Sequence, residues 1–216
     1  ELLLFLLCHP DGRSREQVGL ALWPEASSAQ LRNVFHVTLH RLRKAIDRAG
    51  WIVLEGERYR LSPDIACELD AATFERDVVS ARRDLTRGRD AFDRLRQALA
   101  LYRGAFLEGE PVGDWHLELR DRIERLYVDA LLALGGRLMD ANRYQEAADA
   151  YRRVIERDEL HEESYRHLMS CLSRTGERPQ ALRLYQRLTQ ALRDELETAP
   201  APETARLFAR LQAGSD

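Results

Sequence analysis

The segment NVFHVTLHRLRKAI, residues 33–46, sets two histidines, two arginines and the chain's only lysine among regularly spaced apolar residues. His36 and His40 stand four residues apart, the spacing at which two imidazoles share one face of a helix. Such a pair can ligate a metal. HVTLH, however, lacks the glutamate of the zinc-hydrolase helix, and no third ligand lies nearby. Hydrogen bonding by neutral imidazole is the simpler use. Asn33, Arg41, Arg43 and Lys44 add donors, and Lys44 is the only lysine in the chain. Asn33 has the chemistry to pair with adenine, Arg43 with guanine, and Val37 to meet a thymine methyl. Arg41 and Lys44 suit phosphate oxygens, contacts that position a protein without reading sequence. A second set follows at Arg58, Tyr59 and Arg60, where alternation along an extended run lets one face meet backbone or minor groove.

No catalytic constellation competes with this reading. Glu118 and Asp121, and Glu159, Glu162 and Glu163, fall on or between polar helix faces. The chain has no G-x-S-x-G, Walker or G-x-G-x-x-G motif. The reading is therefore of no enzyme, no cofactor and no metal site.

A helix is what must position the first set. With a period of 3.6, Leu31, Val34, Phe35, Thr38, Leu39, Leu42, Ala45 and Ile46 form one face. Arg32, Asn33, His36, Val37, His40, Arg43, Lys44 and Asp47 form the other. Any amphipathic surface helix has this look, so the context decides. Residues 2–9 read as a short apolar helix stopped by Pro10, Asp11 and Gly12. Ser14 and Gln17 have capping-box spacing and open a second helix, whose Val18, Leu22 and Trp23 point to the core. Ser27 or Ser28 caps the third, residues 29 to about 48, which Gly50 is expected to end. The period then changes to two. WIVLE and RYRLS flank Gly56-Glu57, a β-hairpin with Trp51, Val53, Tyr59 and Leu61 in alternation. Three helices and a hairpin make a winged helix-turn-helix, assigned to residues 1–62.

Beyond a connector at 63–73 the chain reads as helical, broken at Arg87-Gly88-Arg89, Gly104, 108–114, Asn142, Gly176 and 199–202. A shift of 34 residues aligns Leu134 with Leu168, Ala147 with Ala181, Tyr151 with Tyr185, and Asn142-Arg143 with Gly176-Glu177. That is the register of tetratricopeptide-type hairpins, in which alanines let paired helices approach and a tyrosine fills the gap between hairpins. Residues 74–103 form a third, more degenerate hairpin. The expected fold class is mainly α: a winged helix followed by a tetratricopeptide-like bundle over 69–216.

Charge agrees with a division of labour. The chain carries −3 overall, yet residues 1–62 hold nine Arg or Lys against seven Asp or Glu. The remainder holds 24 against 29. The cysteines, Cys8, Cys67 and Cys171, are scattered and odd in number, which fits reduced thiols in a cytoplasmic protein. No window approaches the roughly 20 apolar residues of a membrane span, and ELLLFLLC lacks a basic leader. Because the chain opens on apolar residues with no preceding cap, it reads as a piece of a longer protein.

The set REQVGLALW (15–23), AQLRNVFHVTLHRLRKAI (29–46), RYRL (58–61), Leu69-Asp70…Phe74, ALALYRG (98–104), DW (114–115), RYQEAADAYRR (143–153) and ALRLYQRLTQALRDELETAPAPETA (181–205) resembles the Streptomyces antibiotic regulatory protein family. That family joins an OmpR-type winged helix to a bacterial transcriptional activator domain. The resemblance implies that Asn33, Val37, His40, Arg41 and Lys44 lie on a recognition helix, with Arg58 and Tyr59 in the wing. It implies double-stranded DNA as a partner, bound at direct repeats by a dimer. It also implies contact with RNA polymerase or another domain of a larger regulator. Three features depart from the family pattern: the strands ahead of the first helix, the Phe35, His36 and His40 positions of the groove-facing helix, and the missing glycine in ELETAPAPET. The expected function is a DNA-binding transcriptional activator. The alternative is a protein-interaction or signal-relay module with a vestigial winged helix.

Overall fold

The computed structural model describes residues 1–47, 49–65, 67–110 and 112–214. It falls into two compact units, the first of residues 1–76 with 101–124, the second of 77–100 with the chain from 125 onward.

The first unit begins with α1 (Leu2–Leu7), α2 (Arg15–Leu22) and α3 (Ser28–Ile46). The expected capping box at Ser14 forms, and α3 has one as well. Ser14 accepts from the Gln17 amide while Gln17 accepts from the Ser14 amide, and Ser27 and Gln30 repeat the arrangement on α3. Each box satisfies two amides that the first helical turn leaves without partners. Gly19 lies where the two helices meet. A Cβ there would come within 2.4 Å of the Leu31 methyls, so the absence of a side chain lets α3 approach. Contrary to expectation, α3 stops before Gly50. Ile46 is its last residue, and Asp47 takes the left-handed conformation (φ 53°) usually given to glycine.

The hairpin consists of β1 (Ile52–Glu55) and β2 (Arg58–Leu61), antiparallel, turning at Gly56 with φ 56°. Its register pairs Ile52 with Leu61 and Leu54 with Tyr59, and partners across a ladder share a face. The inward residue of β1 is therefore Ile52, 1% exposed, and not Val53, which shares its face with Arg60. The expected alternation was one residue out of register, because an unbroken WIVL run does not say which parity is buried. Arg13 extends the sheet: its amide and carbonyl exchange hydrogen bonds with Tyr59 at 3.0 and 2.8 Å. The preceding Gly12 (φ 76°) lies against Arg58 and Tyr59, where a Cβ would stand 3.1–3.2 Å from them. Phe5, Leu6, Val18, Phe35, Leu39 and Ile52 make the core, and Trp115 covers it. The Trp115 ring meets Phe5 edge-on at 5.4 Å.

The second unit is all helix. The elements are α4 (Asp70–Thr86), α5 (Phe92–Leu101), α6 (Leu117–Asp140), α7 (Tyr144–Ile155), α8 (Glu162–Arg174), α9 (Arg178–Leu196) and α10 (Pro202–Ala213). They contribute to this unit from residue 77 to 100 and again from 125. Among the described residues, the only paired strands of the chain are β1 and β2. Three of the connecting turns close identically. Gly88, Asn142 and Gly176 all have positive φ (73°, 58° and 84°). Their amides donate to Leu85, Met139 and Ser173, and the next amides (Arg89, Arg143, Glu177) reach back to Asp84, Leu138 and Leu172. This is a helix-ending Schellman pattern, and it recurs at the expected 34-residue spacing between Asn142 and Gly176.

Both tyrosines of the repeat stack on a ring of the helix that follows. Tyr151 stacks on His167 of the following helix at 4.9 Å, and Tyr185 stacks on Phe208 of its following helix at 4.0 Å. Ala147 and Ala181 are wholly buried. Gly135 gives Tyr151 its space, since a Cβ there would lie 2.7 Å from the ring.

Candidate nucleic-acid interface

The first unit sorts the residues of α3 by depth. Phe35 is fully buried and Leu39 is 5% exposed, while Asn33, His36, Val37, His40, Arg41 and Lys44 are all exposed. About three turns of helix thus present amide, imidazole, guanidinium and ammonium donors beside a single apolar patch, Val37 at 41% exposure. Arg32, which the polar-face count included without a contact role, is exposed one turn before His36 and belongs to the same surface. The signal that could have marked it was its spacing of four to His36.

The end of α3 does not continue this pattern. Ala45, assigned to the core face, is exposed, and Arg43, assigned to the polar face, is half-buried. The reason is the hairpin. Arg43 Nη2 donates to the Ile52 carbonyl at 2.8 Å, so this guanidinium ties the helix to the first residue of β1. That hydrogen bond leaves Arg43 half-buried beside the exposed donor face.

The hairpin residues also separate. Arg58 is exposed at the turn end of β2. Tyr59 is half-buried with its ring 4.6 Å from that of Phe35, so it braces the hairpin against the third helix. Arg60 is half-buried and pairs with Glu55 across the strand pair, Nε to Oε2 at 2.9 Å. Of the three, Arg58 alone is exposed.

Lys44, Arg41, Arg32 and Arg58 have no ion pair among the described residues, and Asp47 is the nearby carboxylate in sequence. Guanidinium and ammonium groups so exposed can neutralise phosphates at little desolvation cost. His36 and His40 gather no third ligand: no group of three or more His, Cys, Asp or Glu among the described residues could hold a metal ion. No helix among them is long and apolar enough to cross a membrane.

Comparison with known proteins adds an independent finding. A model of the bacterial transcriptional activator domain matches residues 69–212. The chain is 30% identical over 224 aligned positions to the regulatory protein AfsR of Streptomyces coelicolor, covering 97% of this chain and 21% of that protein. It spans about a fifth of that relative's length. Among solved structures, it is similar to Mycobacterium tuberculosis EmbR, determined in complex with a low-affinity phosphopeptide. The TM-score is 0.70 at 22% identity, covering 99% of this chain and 59% of that one. The likeness to that structure is one of fold.

Proposed function

The chain belongs to the bacterial transcriptional activator domain family, and we propose that it is a cytoplasmic DNA-binding activator whose winged helix, residues 1–62, reads promoter DNA. In this reading α3 enters the major groove. Asn33, His36, Val37 and His40 meet base edges there, and Arg41 and Lys44 meet phosphates. Arg58 at the wing contacts the flanking backbone. Arg43, Tyr59 and Arg60 hold helix and wing in register. The helical region, 69–216, contacts protein partners, among them RNA polymerase or a further domain of a larger regulator, and two copies bind direct repeats.

One observation carries the reading: α3 buries Phe35 and Leu39 on one side, opposite an exposed donor face that makes no ion pair among the described residues, and the wing lies beside it. Selection of duplexes from a random pool by the whole chain tests it. A direct-repeat sequence should be enriched, and Lys44→Glu or Arg58→Glu should weaken binding to every duplex. Each loss should also lower the slope of log affinity against log salt by about one unit, since each phosphate contact releases one condensed cation. Unchanged binding in both variants would remove the winged helix from the function and leave an interaction module.

A further inference from the structure

A groove of about 500 Å³ opens in the second unit between α7 and α9, with α8 beneath it. Its floor is apolar, made by Ile155, Leu168 and Leu172, all 5% exposed or less. Its rim is cationic: Arg152, Arg183 and Arg187 stand against a single carboxylate, Glu156. Arg152 is held by Asp149 at 2.6 Å, while Arg183 and Arg187 are exposed and make no ion pair among the described residues. They lie four apart on α9 and so face the same way. One turn before Leu168, the Tyr165 hydroxyl is buried without a hydrogen-bond partner. Arg187 is close enough for its charge to oppose the burial that raises the Tyr165 pKa.

We propose that this groove docks an acidic, amphipathic segment of a partner protein, with apolar side chains on Leu168 and Leu172 and carboxylates on Arg183 and Arg187. The inference rests on the reading that the helical region contacts protein partners, and names the site and the chemistry of that contact. Charge complementarity selects the occupant. A floor of leucine and isoleucine has nothing to offer a nucleic-acid backbone, whereas an acidic segment carrying leucine or phenylalanine satisfies floor and rim together. Arginine suits carboxylates because its planar fork can bind both oxygens.

The test uses the whole chain and a displayed library of random twelve-residue peptides. The wild-type chain should select peptides that combine Asp or Glu with two or more large apolar residues. A selected peptide, labelled and followed by fluorescence anisotropy, should bind at least about tenfold more weakly to Arg183→Glu/Arg187→Glu. It should bind equally well to Lys44→Glu. Circular dichroism of the double variant should match the wild type, since both side chains are exposed. Selection of basic or purely apolar peptides would overturn the proposal, as would full affinity in the double variant. Sedimentation showing a dimer that the double variant abolishes would assign the groove to a second copy and also overturn it. Duplex selection by the same chain reads the winged helix separately, so failure of the groove and failure of the regulator reading are distinguishable.

Discussion

Arg43 shows that a side chain's type does not by itself fix its contacts. Its position on the polar face and its guanidinium both suggested a base contact. The structure instead gives it the Ile52 carbonyl at 2.8 Å. Arg43→Ala should therefore destabilise the first unit by about 1.5–3 kcal/mol, the scale for losing a charge-assisted hydrogen bond, and thermal unfolding would show it. Specificity among duplexes should change little once folding is matched by lowering the temperature. Histidine gives a second prediction at this scale. His9 Nδ1 lies 2.6 Å from the Phe5 carbonyl, and burial, helped by the nearby Arg13 charge, holds its pKa below the usual 6.5 despite that hydrogen bond. The unfolded chain then takes up a proton that the folded chain resists. This contribution to stability is complete above pH 6.5 and is lost as the pH falls through the lowered folded-state value. His9→Gln should flatten the fall in melting temperature between about pH 7 and pH 5.5. Asn33, Val37 and Lys44 could be placed on an exposed face from spacing alone, because helical period separates faces cleanly. The half-buried states of Arg43 and Tyr59 could not, because they depend on a hairpin whose docking angle no local pattern encodes.

Elements were more legible than residues. The capping box at Ser14, a serine cap on α3, the Gly56 turn and the 34-residue helical register all depend on short-range chemistry, and each appears where its residues predict. The end of α3 and the parity of β1 were missed for a physical reason: Asp47 adopts a conformation that only sometimes replaces glycine, and IVL has no polar alternation to read. Two substitutions probe this scale. Ser27→Ala removes the side-chain acceptor at the start of α3 and should cost about 1 kcal/mol, measured by urea unfolding. Gly135→Ala should cost about 1–3 kcal/mol by the same measurement, since the added methyl meets the buried Tyr151 ring at 2.7 Å and that ring is 1% exposed. Gly136→Ala is the control. Its Cβ would meet nothing within 4 Å, and the helix should gain slightly.

For the whole molecule, binding activities assigned to different surfaces should be separable. The chain with Lys44→Glu combined with Arg183→Glu/Arg187→Glu should show, within about 0.5 kcal/mol, the sum of the separate effects on duplex binding, as expected for substitutions that share no partner. A larger coupling, measured by a double-mutant cycle in anisotropy, would show that occupancy of the groove and grip on DNA are linked. Sequence patterning could not have settled this, because hydrophobic period and charge count describe elements and leave the energetic coupling between surfaces unspecified.

The first unit is not a continuous stretch of chain: residues 101–124, inside the span matched by the family model, pack with the winged helix. The Gly113 amide and the Trp115 indole both donate to the Glu1 carboxylate, at 2.9 and 3.0 Å, and the Trp115 ring covers Phe5. Grafting a relative's first 62 residues onto this chain would set a foreign surface beneath a resident tryptophan. A graft joined before Trp115 should therefore lose these contacts and unfold at a lower temperature than one that carries residues 101–124 along with the first 62.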